Sequence, residues 1–352
     1  MYVEGFITLE AKSGTKVDMN VPYLAFYGDW TQAPMFDLTY FDTNPDELDD
    51  GIDEEDKTKA DAYATRPVGG ISEDYVSYLG SYYFLQDEDD MEIPSQMEHI
   101  ALSNQEGTIH SLRYVWAGLL RNAKKIDVSI INKTTGEVVF ETTDDDVRKS
   151  YGDGGSIYPA NIEIEFDTME YNLPNNGEYI VRLEGYMDYA EDGGKDTNKK
   201  NVFEFPLTMD FEAPTVTDVK FSYEYDKTLK KNRLYAEVAV YDNHYSMSGQ
   251  LGYIAMGEDE NGNATPEIVL FEQYMTPIYS ERNGTTYVKY ELTDYINDIK
   301  ENAINGNSFV LSVYDYALNY ATYEIGLPDD YTDFYFEGLE EGLTLSQNEV
   351  YS

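Results

Sequence analysis

The sequence predicts an all-β protein built from tandem antiparallel β-sandwiches with a few short helices. Short runs of β-branched and aromatic residues recur along the chain, separated by clusters of Gly, Asn, Asp and Pro. The 352 residues include 34 tyrosines, a side chain typical of half-buried strands because its ring packs inward while its hydroxyl reaches water. Helical periodicity is confined to two short segments. This length leaves room for two or three sandwich-sized units.

The charge of the chain excludes several classes of partner. Lys and Arg number 24 against 68 Asp and Glu, which gives a net charge of -44. A phosphate backbone would be repelled, so nucleic-acid binding is not expected. An anionic bilayer surface is disfavoured for the same reason, and no apolar run has the roughly 18 residues that membrane insertion requires. We interpret the acid excess as a solvated surface, with cation binding or attraction of basic substrates as the alternative.

The beginning of the chain predicts a β-hairpin. Two strand-like runs, at residues 2–11 and 17–30, are joined by residues 12–15, where Gly14 permits the left-handed turn that a hairpin needs. Two strands cannot bury a core. We therefore expect residues 1–30 to be the closing strands of a truncated domain. Neither end of the chain carries a targeting signal, so an export signal would lie outside it.

The second predicted domain spans residues 31–212 and begins with a long acidic excursion to about residue 95, containing one or two strands. Three consecutive antiparallel strands linked by tight turns follow, at residues 112–120, 125–132 and 137–142. Residues 142–151 predict a short helix with Thr143 or Asp144 as N-cap. Further strands are expected at residues 160–166, 178–189 and 201–209.

The third predicted domain spans residues 213–335 and follows a linker at residues 210–214, where Pro214 interrupts strand pairing. A helix is expected at residues 294–303, capped by Thr293 or Asp294. Residues 336–352 predict the start of a further module or a linker. Seven strands are predicted in this domain, at residues 216–225, 233–242, 249–257, 266–275, 285–292, 307–316 and 319–327.

No catalytic constellation emerges from the sequence. A serine hydrolase needs a base beside its nucleophile, and the histidines are His99, His110 and His244. None of them lies in the surroundings of a subtilisin-type His. The segment 246–249, Ser-Met-Ser-Gly, is only weakly similar to the sequence around a subtilisin nucleophile. We expect His244 to lie in a polar connection after a strand. We predict no catalytic residue within this chain.

Calcium is the cofactor that the acidic loops favour, because Ca²⁺ prefers closely spaced carboxylate and carbonyl oxygens. The candidate metal ligands are Asp259, Asn261 and Asn263, at alternate positions of one loop. An EF-hand loop would have Gly and Glu where this chain has Ala264 and Leu270, so a plain hairpin turn is the competing interpretation. The acidic run at residues 87–90 is interpreted as a solvated loop.

Several segments resemble one known family in the same order. They are YVEGFITL and VPYLAFYGDWTQAP near the start, LRNAKKIDVSIINKTTGEVVF, NNGEYIVRLEGY, DFEAPTV and VYDYALNYATYEI. Together they resemble the fibronectin type III-like region that follows the protease domain in lactocepin-type, subtilisin-like cell-envelope proteinases of Gram-positive bacteria. That group also contains the complement-fragment peptidases of pathogenic cocci. The resemblance covers most of residues 1–330.

The resemblance implies Ig-like and fibronectin type III-like sandwiches with an accessory role in a secreted serine endopeptidase. The implied partners are an upstream protease domain of the same polypeptide and its protein or peptide substrates, and the implied location is extracellular, at the cell surface or wall. No position here matches a catalytic residue of the family. Two departures stand out. The loop that often reads S-P-N-G-D-G in relatives is SNQEG at residues 103–107, which weakens a transferred cation site, and Leu318 replaces a Gly, which indicates a different turn before Asn319.

Two other functions fit the same composition. One is a stand-alone surface adhesin or carbohydrate-binding β-sandwich, in which Tyr and Trp would stack on sugars; cross-strand packing of these rings is the competing interpretation. The other is a β-sandwich glycoside hydrolase. Among 68 acids some pair will lie at a suitable separation by chance, so the sequence selects no catalytic pair.

Overall fold

The computed structural model of the chain describes residues 2–12, 19–26, 34–37, 39, 41, 65–72, 74–81, 96–153, 156–187, 201–228, 231–259 and 261–328. Twenty strands and one α-helix are found among these residues. The predicted all-β sandwich class is confirmed. In the described part of the chain, no helix has the length and apolar character that crossing a membrane requires.

The first two strands form the predicted hairpin. β1 (Tyr2–Leu9) pairs antiparallel with β2 (Met19–Phe26) along its whole length. The turn at residues 13–18 lies outside the described residues. Apolar side chains of this hairpin are exposed, among them Phe6 and Leu24. Its expected role as the end of a domain stays a prediction.

The next strands form two facing sheets, here called the first sandwich. One sheet has the order β11-β6-β3-β4 and the other β5-β13-β12-β7-β8, with β5 and β13 parallel and the other neighbours antiparallel. A small separate hairpin is formed by β9 (Tyr151–Asp153) and β10 (Ser156–Tyr158). The strands of the sandwich are β3 (Arg66–Gly70), β4 (Val76–Tyr78), β5 (Ala101–Leu102), β6 (Ser111–Ala117), β7 (Lys125–Asn132), β8 (Val138–Asp145), β11 (Ala160–Asp167), β12 (Glu178–Tyr186) and β13 (Val202–Met209).

The core of the first sandwich follows from strict alternation along its strands. Buried and accessible side chains alternate along β7, β11 and β12, as expected when one face of a sheet is buried. The buried face of each sheet meets that of the other in one apolar cluster. Its members include Leu112, Val115, Ile126, Val128, Ile130, Ile162, Phe166, Val181, Leu183, Phe205 and Leu207.

Two predictions for the first sandwich are wrong. β6 and β7 follow each other in the chain but lie in different sheets, so the three strands are not consecutive neighbours. The helix predicted at residues 142–151 is absent from the described residues, because β8 continues to Asp145. Thr143 and Asp144 are not N-caps: they pair with Asp127 and Ile126 of β7. β-branched Thr favours a strand, and Thr143 Oγ1 donates to Asp127 Oδ1 at 2.8 Å.

The remaining strands form a second sandwich. A sheet of order β14-β15-β18 faces one of order β17-β16-β19-β20, and their apolar faces share one core. All seven predicted strands are present. They are β14 (Thr215–Asp226), β15 (Lys231–Tyr241), β16 (Ser246–Glu258), β17 (Ala264–Pro277), β18 (Thr285–Glu291), β19 (Ser308–Asp315) and β20 (Tyr320–Gly326).

The predicted helix of the second sandwich exists as α1 (Ile296–Asn302) and buries Ile296 and Ile299 against the core. Its predicted cap is wrong. Tyr295 occupies the N-cap position without a capping side-chain hydrogen bond. The hydroxyl of Thr293 instead accepts a hydrogen bond from the Leu234 backbone N–H at 2.9 Å, which satisfies β15 rather than the helix.

The two sandwiches are joined by the segment from β13 to β14. This segment coincides with the linker predicted at residues 210–214. The domain boundaries at residues 30, 212 and 335 stay predictions, and the module expected at residues 336–352 lies outside the described residues.

Candidate functional site: a buried acidic junction between the sandwiches

Three aspartates at strand ends meet where the two sandwiches join. Asp210 directly follows β13, Asp242 directly follows β15, and Asp315 is the last residue of β19. Their side chains are fully buried, with relative exposures of 0%, 1% and 0%. One carboxylate oxygen from each lies within 4.8 Å of the other two. We call these three residues the acidic junction.

A tight turn after β19 holds Asp315 in place. Its Oδ1 accepts hydrogen bonds from the backbone N–H groups of Ala317 and Asn319, both at 2.8 Å, and its Oδ2 accepts one from Asn319 Nδ2 at 2.7 Å. Leu318 has a φ of 63°, the left-handed region in which glycine is common. The turn therefore places Leu318 in a backbone conformation that favours glycine, and the different turn expected before Asn319 stays a prediction.

Asn319 links this turn to the first sandwich. Its Nδ2 also donates to the backbone carbonyl of Asp210 at 2.8 Å, and its Oδ1 accepts a hydrogen bond from Ser103 Oγ at 2.5 Å. The backbone N–H of Ile109 donates to the Ala317 carbonyl at 2.9 Å. Residues from the loop at 103–109 and from the turn at 315–319 are thus tied together by buried hydrogen bonds.

Asp210 and Asp242 are each only partly satisfied. Asp210 Oδ1 accepts a hydrogen bond from Asn243 Nδ2 at 2.8 Å, and Asp242 Oδ1 accepts one from the His244 backbone N–H at 2.7 Å. The Oδ2 atoms of both aspartates are buried and have no hydrogen-bond partner. Buried polar atoms are nearly always paired in folded proteins, so these two oxygens require a physical explanation.

Burial and mutual repulsion raise the pKa of all three carboxyl groups. Burial raises the pKa of Asp210 to about 6. Burial and then the charge of Asp210 raise the pKa of Asp242 to about 7. The pKa of Asp315 lies well above its ordinary value because of burial and then the charges of Asp210 and Asp242. Three adjacent carboxylates cannot all be ionised here unless a positive charge joins them.

Aromatic and ionic contacts support the same interface. The His99 ring of the first sandwich packs against Tyr245 and Tyr316 of the second, with centroid separations of 4.5 and 4.1 Å. At another point of the interface, Arg282 Nη1 lies 2.6 Å from Glu178 Oε1 at the start of β12. The two sandwiches therefore contact each other through packed rings as well as through the acidic junction.

His244 lies in the polar connection after β15, as predicted, and it is buried there. Its relative exposure is 1%, and neither ring nitrogen has a hydrogen-bond partner. Burial, followed by the charges of Arg282 and His99, lowers its pKa to about 3. The nearby hydroxyls of Ser246 and Ser248 are also buried and unpaired. The segment at residues 246–249 is the start of β16 and packs inside the protein.

His110 has a carboxylate partner. Its Nδ1 lies 3.3 Å from Asp167 Oδ1, beside a surface cleft that Arg113 and Glu165 also line. The neighbouring hydroxyl of Ser111 donates to the Gly70 carbonyl at 3.4 Å and not to the imidazole. This pair lacks the serine contact that a hydrolase nucleophile would need.

The sequence-predicted calcium ligands come together in the hairpin loop between β16 and β17. Asp259 Oδ1 accepts hydrogen bonds from the backbone N–H groups of Asn261 and Asn263 at 2.9 and 2.8 Å. Asp259 Oδ2 accepts one from Asn263 Nδ2 at 3.0 Å, and these bonds lower the pKa of Asp259. Both carboxylate oxygens are thus used to close the turn. A metal ion at Asp259, Asn261 and Asn263 stays a prediction.

The aromatic residues of the first sandwich pack on one another. The Trp116 ring lies 5.4 Å from the Tyr78 centroid and 5.7 Å from the Tyr114 centroid. The Arg66 guanidinium lies 4.2 Å from the Tyr78 ring centroid. This arrangement matches the cross-strand packing that competed with a sugar platform. Trp30 lies outside the described residues.

The sequence did not reveal the acidic junction. Asp210 lies in the linker predicted at residues 210–214, and Asp242 and Asp315 lie in the strands predicted at residues 233–242 and 307–316. A usable signal does exist: each aspartate terminates an apolar strand-forming run. Strand order in the fold is needed to show that these three ends meet.

The chain is similar in sequence to several bacterial proteinases. No protein-family model matches it. The chain is 26% identical over 236 residues to the PI-type proteinase of Lactococcus lactis subsp. cremoris, and 25% identical over 233 residues to the PII-type proteinase of Lacticaseibacillus paracasei. A PIII-type proteinase of L. lactis subsp. cremoris strain SK11 is 27% identical over 237 residues. The chain is homologous to part of these proteinases.

The matches cover only a small share of the length of these relatives. Each match covers 63% of the chain and 10 to 11% of the relative's length. The resemblance inferred from the ordered segments is therefore confirmed, and the chain is similar to only part of each proteinase.

Proposed function

We propose that this chain is a non-catalytic accessory region of a secreted, subtilisin-like cell-envelope serine endopeptidase. The observation that carries the proposal is its homology to only about a tenth of the length of three proteinases. In this role it acts as a scaffold and spacer for a protease domain elsewhere in the same polypeptide. The parent protein would lie outside the cell, at the cell surface or in the wall.

The arrangement of the two sandwiches supports the scaffold role. A spacer holds a domain at a defined distance only if its own units resist bending relative to each other. Here the junction contains buried hydrogen bonds from Ser103 and Asn319 and packed rings around His99. These contacts favour a fixed orientation over a flexible chain of independent domains.

The charge of the chain supports an additional role as an exosite for protein or peptide substrates. A net charge of -44 creates a negative potential that raises the local concentration of basic partners. Substrates with Lys-rich and Arg-rich segments are the class that such a surface would collect. Their attraction would weaken as salt concentration rises.

An activity assay tests the non-catalytic part of the proposal. The purified chain is incubated with casein, with and without a serine-protease inhibitor. No cleavage is expected in either arm. Cleavage that the inhibitor abolishes, and that the variant His110→Ala also loses, would overturn the proposal, because His110 lies beside a carboxylate that could orient it as a base.

A binding assay tests the exosite part and separates it from the adhesin alternative. Calorimetry with a lysine-rich peptide should show salt-sensitive binding, while a glutamate-rich peptide of the same length should not bind. Absence of binding to the lysine-rich peptide at low salt would overturn the exosite role. Glycan-array binding that disappears in Trp116→Ala would favour the carbohydrate-binding alternative instead.

A further inference from the structure

The acidic junction places three buried carboxylates close together. Asp210, Asp242 and Asp315 come from the connection after β13 and from two strand ends of the second sandwich. All three are buried, and one oxygen from each lies within 4.8 Å of the others. Clusters of acids on protein surfaces are common, but this one is shielded from water.

The described part of the protein supplies no cation to these carboxylates. Within the described residues, no Lys, Arg or His forms an ion pair with any of the three. Their hydrogen-bond donors are the side-chain amides of Asn243 and Asn319 and the backbone N–H groups of residues 212, 244, 317 and 319. Burying ionised carboxylates without a compensating positive charge is strongly unfavourable. A positive charge from outside the chain would remove this penalty.

Two carboxylate oxygens are left available at this place. Oδ2 of Asp210 and Oδ2 of Asp242 are buried and accept no hydrogen bond. This observation is independent of the clustering, since clustered carboxylates can be fully satisfied by donors. Oxygens with free lone pairs beside a third carboxylate are the ligands that a hard divalent cation requires.

The spacing of the oxygens fits the size of Ca²⁺. Two ligands at about 2.4 Å from one ion are at most about 4.8 Å apart, the sum of the two bond lengths. The separations in the acidic junction lie within that limit. Calcium also tolerates irregular geometry, and Mg²⁺ requires a nearly octahedral site.

We propose that Asp210, Asp242 and Asp315 bind one Ca²⁺ ion that fastens the connection between the sandwiches to two strand ends of the second sandwich. The ion adds a cross-link beside the hydrogen bonds of Asn319 and stiffens the junction. This site is separate from the loop at residues 259–263, which the sequence had indicated. The inference does not rest on the proteinase role, because an adhesin or a free spacer would gain the same rigidity.

Calcium titration of the whole chain tests the site. The protein is stripped with EDTA, dialysed at pH 7.5, and titrated with CaCl₂ by calorimetry and by thermal unfolding. Saturating Ca²⁺ should raise the melting temperature by about 5 to 10 °C, the shift expected near one hundred times the dissociation constant. The variants Asp242→Asn and Asp315→Asn should weaken binding at least about tenfold, because each removes a charged ligand.

The control variant is Asp259→Asn, which removes the central carboxylate of the sequence-predicted loop. It should keep the wild-type affinity and the wild-type calcium-induced shift. An equal loss of binding in Asp259→Asn would overturn the assignment, as would unchanged binding in both junction variants. A shift with MgCl₂ as large as that with CaCl₂ would overturn the preference for calcium.

The junction variants should fold even without calcium. Replacing one Asp by Asn keeps the side-chain volume and removes one of three repelling charges. In EDTA the melting temperature of Asp242→Asn should therefore equal or exceed that of the wild-type protein, because its Oδ1 keeps the hydrogen bond from His244 and its Oδ2 has none to lose. Asp315→Asn should melt at a lower temperature, because both of its oxygens accept hydrogen bonds and an amide nitrogen cannot accept one. If the wild-type chain shows neither binding heat nor a melting shift with CaCl₂ at pH 7.5, the three carboxyl groups are neutralised by protons instead, and the proposal fails.

Discussion

Asn319 donates a hydrogen bond from its Nδ2 to the backbone carbonyl of Asp210 at 2.8 Å, and so joins a turn of the second sandwich to the residue that follows the last strand of the first. The same amide binds Asp315 Oδ2, and Asn319 Oδ1 accepts from Ser103. One buried side chain thus contacts both sandwiches and the acidic junction.

Replacing Asn319 by Ala should destabilise the protein by about 2 to 4 kcal/mol, because several buried groups lose partners at once. Urea unfolding should also separate into two transitions, as the sandwiches become less coupled. The control is Asn305→Ala, at an exposed site where the amide contacts Glu324, with an expected change within about 0.5 kcal/mol. Equal effects of the two variants would contradict the role assigned to Asn319.

The Glu178–Arg282 pair should contribute only weakly to the interface. Its side chains are 35% and 40% exposed, and pairs of this kind are typically worth about 0.2 to 1 kcal/mol. The hydrogen bond from Arg282 lowers the pKa of Glu178, so its contribution is present above the ordinary carboxyl pKa and is lost as pH falls through the lowered value. A double-mutant cycle in urea at pH 7 and pH 3 measures this coupling. A larger coupling energy at pH 3 than at pH 7 would contradict the expected loss of this contribution at low pH.

Stability without calcium should depend on pH through the acidic junction. The pKa values of Asp210 and Asp242 are raised to about 6 and 7, so the folded protein holds these protons more tightly than the unfolded chain does. Their stabilising contribution is therefore full below the ordinary pKa of 3.8 and is lost as pH rises toward 7. The charge of Glu212 acts in the same direction on both groups. His244 acts oppositely, since its pKa is lowered to about 3 and its contribution is lost as pH falls below 6.5.

The measurement compares melting temperatures of the wild-type chain and Asp242→Asn in EDTA from pH 4 to pH 8. Because both proteins retain His244, their difference reports the Asp242 carboxyl. The melting temperature of Asp242→Asn should rise relative to that of the wild-type chain as pH rises. The calcium-induced shift of wild type should grow over the same interval, because ligands must lose protons before they bind a metal. A difference independent of pH would show that Asp242 is not buried as described.

Gly69→Ala should destabilise the first sandwich by about 1 to 3 kcal/mol. A Cβ at Gly69 in β3 would overlap the side chains of Ile109 and Leu79, and overpacking a filled core forces neighbours out of position. The control is Gly326→Ala in β20, where a Cβ would meet no atom within 4 Å. Thermal unfolding of both variants checks this, and equal melting temperatures would contradict the close packing around Gly69.

Alternating sequence patterns were enough to locate most strands. β7, β11 and β12 show buried and accessible residues at strict alternation, and all seven predicted strands of the second sandwich are present. Local pattern does not choose between neighbouring sheets, and this is why β6 and β7 were wrongly placed together. The helix at residues 142–151 failed for another reason: pairing of Thr142 and Thr143 with β7 outweighed the capping pattern.

The sequence by itself determined the all-β class, the acidic character, and the homology to part of a proteinase, because strand periodicity, charge and ordered motifs are properties of the linear chain. Only the tertiary structure decided where the acidic residues act. Asp210, Asp242 and Asp315 lie far apart in sequence and meet because the strands they terminate end at one junction. Asp259, Asn261 and Asn263 lie within five residues of one loop, yet the turn that they build uses their own polar groups. Proximity along the chain does not reveal which oxygens are left free, since that depends on the donors that folding brings to them.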